Sequence, residues 1–217
     1  MSRKKLKRFA EIEAFPNVVC WPENLVSGWS DRYFGNRNPV TLEIACGKGE
    51  YTVGLARRHP QRNFVGIDRK GERIWRGART ALDENLKNVL FVQSDAGRLI
   101  ELFDENSISE IWIAFPDPFP KESRSSRRLT APQFLQFYRR LLKPGGQVRL
   151  KTDDDAFFAF TLESLNSEKC LIHDITFDLY DDTIDDHILS LKTTYERRHL
   201  EAGRTIKYVR FAFVRTS

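Results

Sequence analysis

Cysteine is scarce in this chain: there are three in 217 residues, Cys20, Cys46 and Cys170. An odd number at such wide spacing argues against both a disulfide framework and a zinc site, and a reducing cytoplasm is the expected home. Histidine is equally thin. His59, His173, His187 and His199 stand far apart without ligand spacing, and three consecutive aspartates, Asp153 to Asp155, do not by themselves make a magnesium site, so no metal is expected. Long apolar runs are missing too. None approaches the roughly 20 residues a spanning helix needs, so no membrane partner is expected. The basic start "MSRKKLKRF" is not followed by an apolar stretch and does not read as a secretory signal. Finally, the glycine signatures of phosphate binding are incomplete. No G-x-x-x-x-G-K-[ST] occurs, which excludes a P-loop, and the G-x-G of Gly47 and Gly49 lacks the third glycine of a dinucleotide fingerprint, position 52 being Thr.

What is present is the composition of an ordinary soluble globular domain, with 41% hydrophobic and 30% charged residues. The net charge of +5 is unevenly laid out. Five of the six residues from Arg3 to Arg8 are basic and a second basic cluster follows Asp117, whereas Asp174 to Asp186 holds six acids and no Lys or Arg. Such polarity suits a polyanionic partner, because neutralised phosphates drive sequence-independent nucleic-acid affinity.

Short runs rich in β-branched and aromatic residues, at 40–46, 63–68, 88–94, 110–115 and 146–150, alternate with amphipathic segments near 50–58, 69–84 and 130–142. This alternation predicts an α/β, doubly wound, mostly parallel sheet with helices on both faces. Two further runs, 171–180 and 206–214, predict an antiparallel edge and bring the sheet to seven strands. Residues 1–35, with Pro16, Pro22, Gly28 and Gly35, read as a basic, irregular extension ahead of a single domain over 36–217.

Acids recur at the strand ends. Glu43 lies in the first strand ahead of Gly47 and Gly49, Asp68 ends the second, and Asp95 follows the third. Glycines there let a ligand approach the backbone, and an acid ending the second strand is placed for a ribose diol. Acids at three successive tips favour a ligand with a ribose, an amino group and a positive charge over one with a pyrophosphate. S-adenosylmethionine fits that description better than NAD.

Further on, "IWIAFPDPFPKESRSSRRLT" delivers one proline-bracketed carboxylate, Asp117, to the tip of an apolar strand, followed by Lys121, Arg124, Arg127 and Arg128. Together "EIACGKGE", the strand-end acids and "LLKPGG" resemble a class I S-adenosylmethionine-dependent methyltransferase. The proline–aspartate segment, "GIDRKGERI", "SDAGRL", "KPGGQVRLKTDD" and "TTYERRHLEAGRTIKYVRF" resemble the bacterial tRNA (guanine-N7)-methyltransferase family, which methylates a guanine of the tRNA variable loop. That resemblance implies a tRNA partner, with no protein partner required by the sequence. It also implies S-adenosylmethionine near Glu43, Gly47, Gly49, Asp68, Asp95 and Asp117, and catalysis by Asp117. For the RNA it implies phosphate contacts by Lys121, Arg124, Arg127 and Arg128, and base contacts by Asp153 and by Thr193, Thr194, Tyr195 and Glu196. Two departures stand out: Ala45 replaces a usual Gly, and Phe119 a usual Trp. T-x-x-E at 193–196 is also a capping box, and Asp153 is also a candidate helix cap, unless Asp154 or Asp155 takes that role. Two other readings compete: an exocyclic-amine nucleic-acid methyltransferase, since "PDPF" echoes D-P-P-[YF], and a non-catalytic RNA-binding protein. An NAD-dependent dehydrogenase is disfavoured by the missing glycine.

Overall fold

The structure is a computed structural model that describes residues 8, 10–20, 28–181 and 186–214. Most of the basic run at residues 3–7, together with Trp21, Pro22 and residues 182–185 of the acidic stretch, lies outside the described residues. The strands are β1 (Val18–Cys20), β2 (Val40–Ile44), β3 (Asn63–Asp68), β4 (Val89–Gln93), β5 (Ile108–Ala114), β6 (Leu142–Thr152), β7 (Cys170–Thr176) and β8 (Lys207–Phe213). The helices are α1 (Trp29–Phe34), α2 (Glu50–Arg58), α3 (Gly71–Asp83), α4 (Leu99–Leu102), α5 (Pro132–Leu141), α6 (Asp155–Ser167) and α7 (Thr194–Glu201). Sheet order is β1-β4-β3-β2-β5-β6-β8-β7, parallel throughout except for β8, which runs antiparallel to both β6 and β7.

All seven expected strands form, and the sheet has an eighth. Val18–Cys20 pairs in parallel with Phe91–Gln93 at the far edge. Three residues are too few for a period-2 pattern to show in sequence, and this strand exists because β4 offers it an open edge. It falls inside the stretch expected to be irregular, as does α1, whose Trp29 is buried in the core. The segment before β6 also differs. Leu142 already pairs with Ile108, and regular pairing resumes at Glu110 with Gln147. Lys143–Gly146 is therefore a bulge inside the strand.

Strands β2, β3 and β4 are buried on both faces, which is why they read as nearly unbroken apolar runs. Leu42, Ile44, Val65 and Val92 pack against α4, α5 and α6 on one side; Phe64, Phe91 and Trp112 pack against α2 and α3 on the other. Each such side chain contributes about 1.5–3 kcal/mol by leaving water. The chain winds outward from β2 through β3 to β4, then returns to the middle and continues through β5 and β6. The direction reverses between neighbours β2 and β5, and an open sheet splays its loops apart at such a point to leave a crevice at the carboxyl ends of the strands.

Candidate active site

A cleft of about 460 Å³ opens at that crevice, within the range of small-molecule sites. Asp68, Asp95 and Asp117 all line it, from the ends of three different strands. Asp68 is buried and rigidly aimed: Oδ2 accepts the Gly47 N–H at 3.0 Å and Oδ1 the Lys70 N–H at 2.8 Å. Asp95 is exposed; its Oδ1 accepts the Gly97 N–H at 2.9 Å, and Arg69 lies 3.9 Å from its Oδ2. Such fixed carboxylates on a half-open wall suit the hydroxyls and amino group of an adenosine, so the residues present fit the expected cofactor.

Three of the expected cofactor residues are not brought to the cleft. Glu43 is buried beneath it and accepts both the Thr52 N–H, at 2.8 Å, and the Thr52 hydroxyl. Burial pushes its carboxyl up to about 7 against the pull of those two hydrogen bonds, with Asp68 and Glu50 adding to the rise. It braces the start of α2. Gly47 acts through its N–H on Asp68. Gly49 is needed for packing: its φ is +68°, and a Cβ there would stand 2.5 Å from the Phe91 ring.

Asp117 is exposed, and among the described residues no hydrogen bond or ion pair engages its carboxylate. Its frame is strained. Phe115 and Phe119 both have positive φ, 51° and 44°, as does Ala45 across the crevice at 57°. Non-glycine residues so held cost about 1–3 kcal/mol each and cluster at functional sites. The Phe115 N–H donates to the Lys151 carbonyl at 2.9 Å, tying this tip to β6.

The basic turn that follows is a 3-10 helix, Glu122–Arg127. Lys121, Arg124 and Arg127 are exposed without an ion pair among the described residues, and Arg127 lines the cleft. Arg128 does not join them. It is 6% exposed, donates to the Pro118 carbonyl at 3.3 Å and the Phe119 carbonyl at 3.2 Å, and lies over the Phe160 ring at 4.4 Å. A guanidinium so placed satisfies the carbonyls of the proline turn, and its remaining outward contact is an ion pair with the exposed Glu122, 3.5 Å from Nη2.

The C-terminal motif divides in the same way. Thr193 and Glu196 form the capping box of α7. Glu196 is fully buried, with Lys151 Nζ at 2.9 Å and the Tyr180 hydroxyl at 2.5 Å, so it anchors α7 and its carboxylate is not exposed to the cleft. The Thr194 N–H donates to Glu50. Tyr195 is 52% exposed and packs beside Phe115, ring centroids 5.5 Å apart. Its hydroxyl pKa is raised by burial and by the charge of Asp153, against Arg204, with Asp117 adding to the rise. Asp153 itself does not cap α6; Asp154 does, accepting the Phe157 N–H at 2.7 Å. Arg69, Lys70 and Arg73 also line the cleft. They lie within five residues after Asp68 in sequence, and that proximity is the signal that would have found them. Among the described residues no cluster of metal ligands occurs and no helix is long and apolar enough to cross a membrane.

A family described as "Putative methyltransferase" matches residues 37–209. The chain is 43% identical over 222 residues to the tRNA (guanine-N(7)-)-methyltransferase of Christiangramia forsetii, covering 97% of this chain and 98% of that protein. It is 40% identical over 220 residues to the same enzyme of Cytophaga hutchinsonii, covering 99% of each. Among solved structures, the 16S rRNA methyltransferase KamB superposes with a TM-score of 0.67 over 89% of this chain and 96% of its own, at 16% identity. A 16S rRNA (adenine(1408)-N(1))-methyltransferase from Catenulisporales acidiphilia, solved with its cosubstrate, gives 0.60 over 89% and 93% at 14% identity. At those identities the likeness is one of fold.

Proposed function

The chain belongs to the tRNA (guanine-N(7)-)-methyltransferase family, and we propose that its target is a guanine of the variable loop, with Asp117 as the catalytic carboxylate. It is a methyltransferase that uses S-adenosylmethionine to methylate N7 of guanine in tRNA. One observation carries the assignment of Asp117: it stands exposed and unpartnered among the described residues, at the switch point of the sheet, between the carboxylates of the cleft and the cationic turn.

S-adenosylmethionine, when bound, supplies an electrophilic methyl group on a positively charged sulfur. Asp68 and Asp95 would hold its adenosine part, and Asp117 would supply a negative charge at the tip of β5. The guanine N7 carries an in-plane lone pair and no proton at neutral pH, so no strong general base is required. The protein's task is to bring N7 into line and keep it there. Positive charge then develops on the imidazole ring of the base, and a preset carboxylate at Asp117 stabilises it without reorganising. Lys121, Arg124 and Arg127 hold flanking phosphates, Arg bidentately. Tyr195 and Phe115 offer aromatic surface to the purine, and Asp153 accepts from its N1–H and amino group. We place this work in the cytoplasm, where three free thiols are at home.

Incubation with unmodified tRNA and methyl-labelled cofactor, followed by nucleoside analysis, tests the reading. The label is expected in 7-methylguanosine at a variable-loop position, and Asp117→Ala abolishes it while S-adenosylhomocysteine still binds. Label in a methylated adenosine, or an Asp117→Ala variant of undiminished rate, overturns it.

A further inference from the structure

Asp153 directly follows β6, its side chain is only 11% exposed, and its neighbour His199 packs against Phe115, which lines the cleft. Two cationic or protonatable groups meet the same atom. Arg204 Nη1 donates to Oδ2 at 2.7 Å and His199 Nδ1 lies 2.8 Å from the same atom without the alignment of a hydrogen bond, and among the described residues nothing engages Oδ1. From behind, Lys207 Nζ donates to the Asp153 backbone carbonyl at 3.2 Å.

The two side chains on Oδ2 are held very differently. The imidazole of His199 is 13% exposed and packs on the Tyr195 ring with centroids 4.1 Å apart, which lie in turn beside Phe115. It belongs to the wall. Arg204 is 58% exposed and sits on the turn between α7 and β8; its backbone N–H donates to the His199 carbonyl at 3.0 Å, but among the described residues its guanidinium makes no other hydrogen bond or ion pair. Only this one contact holds the guanidinium in place.

A guanidinium and the Watson–Crick edge of guanine present the same thing to a carboxylate: adjacent N–H donors in one plane. We propose that Arg204 is a stand-in for the guanine edge. In the free enzyme its guanidinium occupies the carboxylate that the N1–H and amino group of the target base take over, while His199 stays in place as the positioning residue that keeps Asp153 aimed. This rests on the reading of Asp153 as the guanine contact. It explains why a mostly buried carboxylate is tolerated before RNA arrives, since an uncompensated one is costly. It also sharpens selection. Any base must displace an ion-pair donor, and only one with two donors in that plane restores what is lost; adenine presents an acceptor at N1 and does not.

The test uses the full-length enzyme saturated with S-adenosylhomocysteine, with guanosine and inosine as free nucleoside probes that bring no phosphate. Arg204→Ala is expected to tighten guanosine binding by about threefold to tenfold, the factor that removing one competing hydrogen-bonded state allows. His199→Ala is expected to weaken it by a similar factor, with partial recovery in His199→Gln. Inosine, which lacks the amino group, gains less from Arg204→Ala. Opposite signs from two side chains on one oxygen are not what a shared structural role produces, and unchanged S-adenosylhomocysteine affinity shows the fold is intact. Guanosine binding that weakens or stays level in Arg204→Ala overturns the stand-in. Asp153→Asn separates the two levels: loss of guanosine affinity there without a gain in Arg204→Ala sinks the stand-in alone, whereas no loss there sinks the Asp153 reading and the stand-in with it.

Discussion

Replacing Glu196 by Ala discriminates between two roles for the same residue. The family resemblance expects a base contact, whereas in the structure its carboxylate is fully buried against Lys151 and Tyr180 and closes the capping box of α7. Lys151 is itself fully buried, donates also to the Leu189 carbonyl at 3.1 Å, and has its pKa lowered by burial against the pull of Glu196. Removing the carboxylate leaves that ammonium without a counter-charge in the interior. Breaking a buried pair from one side costs about 3–5 kcal/mol. For a chain of this size that lowers the thermal midpoint by roughly 6–20 °C. Thermal and urea unfolding measure the loss, and the pair can be closed off by replacing Lys151 as well: Lys151→Met in the Glu196→Leu background should recover most of it, because an apolar pair of similar volume does not suffer the desolvation. The activity lost by Glu196→Ala should then track the unfolded fraction. If the variant unfolds like the parent and only its KM for tRNA rises, Glu196 faces the RNA and the buried network is wrongly drawn.

Gly49→Ala should cost about 2–4 kcal/mol, from a left-handed backbone and a methyl group driven against Phe91; a urea midpoint within error of the parent refutes the close approach. Arg124→Gln and Arg127→Gln should each flatten the salt dependence of tRNA binding by about 0.9 in log–log slope with cofactor affinity unchanged, while Arg128→Gln should lower stability and leave the slope alone. An equal slope change in Arg128→Gln would return that residue to the RNA surface. Glu43 supplies a pH test: its carboxyl keeps its proton up to about pH 7 in the fold but releases it from an ordinary value of 4.5 when unfolded. The folded state therefore binds more protons in that window and loses up to about 3 kcal/mol as pH rises through it. Glu43→Gln should match the parent near pH 4 and exceed it at pH 8 in urea unfolding; a parallel decline in the variant refutes the assignment.

The central sheet was legible because its strands are buried on both faces and so stand out as apolar runs between amphipathic helices. Residues 18–20 were not, since their strand state depends on a partner 73 residues away and on no pattern of their own. The strand-end carboxylates were legible for a related reason: an acid that interrupts an apolar run sits where the strand leaves the core. Sequence could not say which acid stays beneath the surface. Glu43 alternates with Leu42 and Ile44, which pack on the opposite face, so its direction was fixed by period 2, but its distance from the cleft was set by Thr52 on the next helix. Arg128 and Glu196 failed alike. Each carries the residue type of a surface contact, and each is turned inward by a partner far off in sequence, Phe160 in one case and Lys151 in the other.

The inward turn of Arg128 bears directly on how Asp117 is presented. In Phe115–Pro116–Asp117–Pro118–Phe119–Pro120 every residue ahead of a proline is pushed toward extended backbone, yet Phe115 and Phe119 sit at positive φ. Strain of that kind persists only where neighbours over-determine it. On the near side the Phe115 N–H is tied to β6 through the Lys151 carbonyl. On the far side Arg128 holds the carbonyls of Pro118 and Phe119. Both ends of the turn are thus clamped while the carboxylate between them has no partner among the described residues. A group held this way does not have to reorganise when charge develops beside it, which is where most of an electrostatic rate gain resides. Within one short cationic run, Arg128 thus supports the turn that presents Asp117, while Lys121, Arg124 and Arg127 stay exposed.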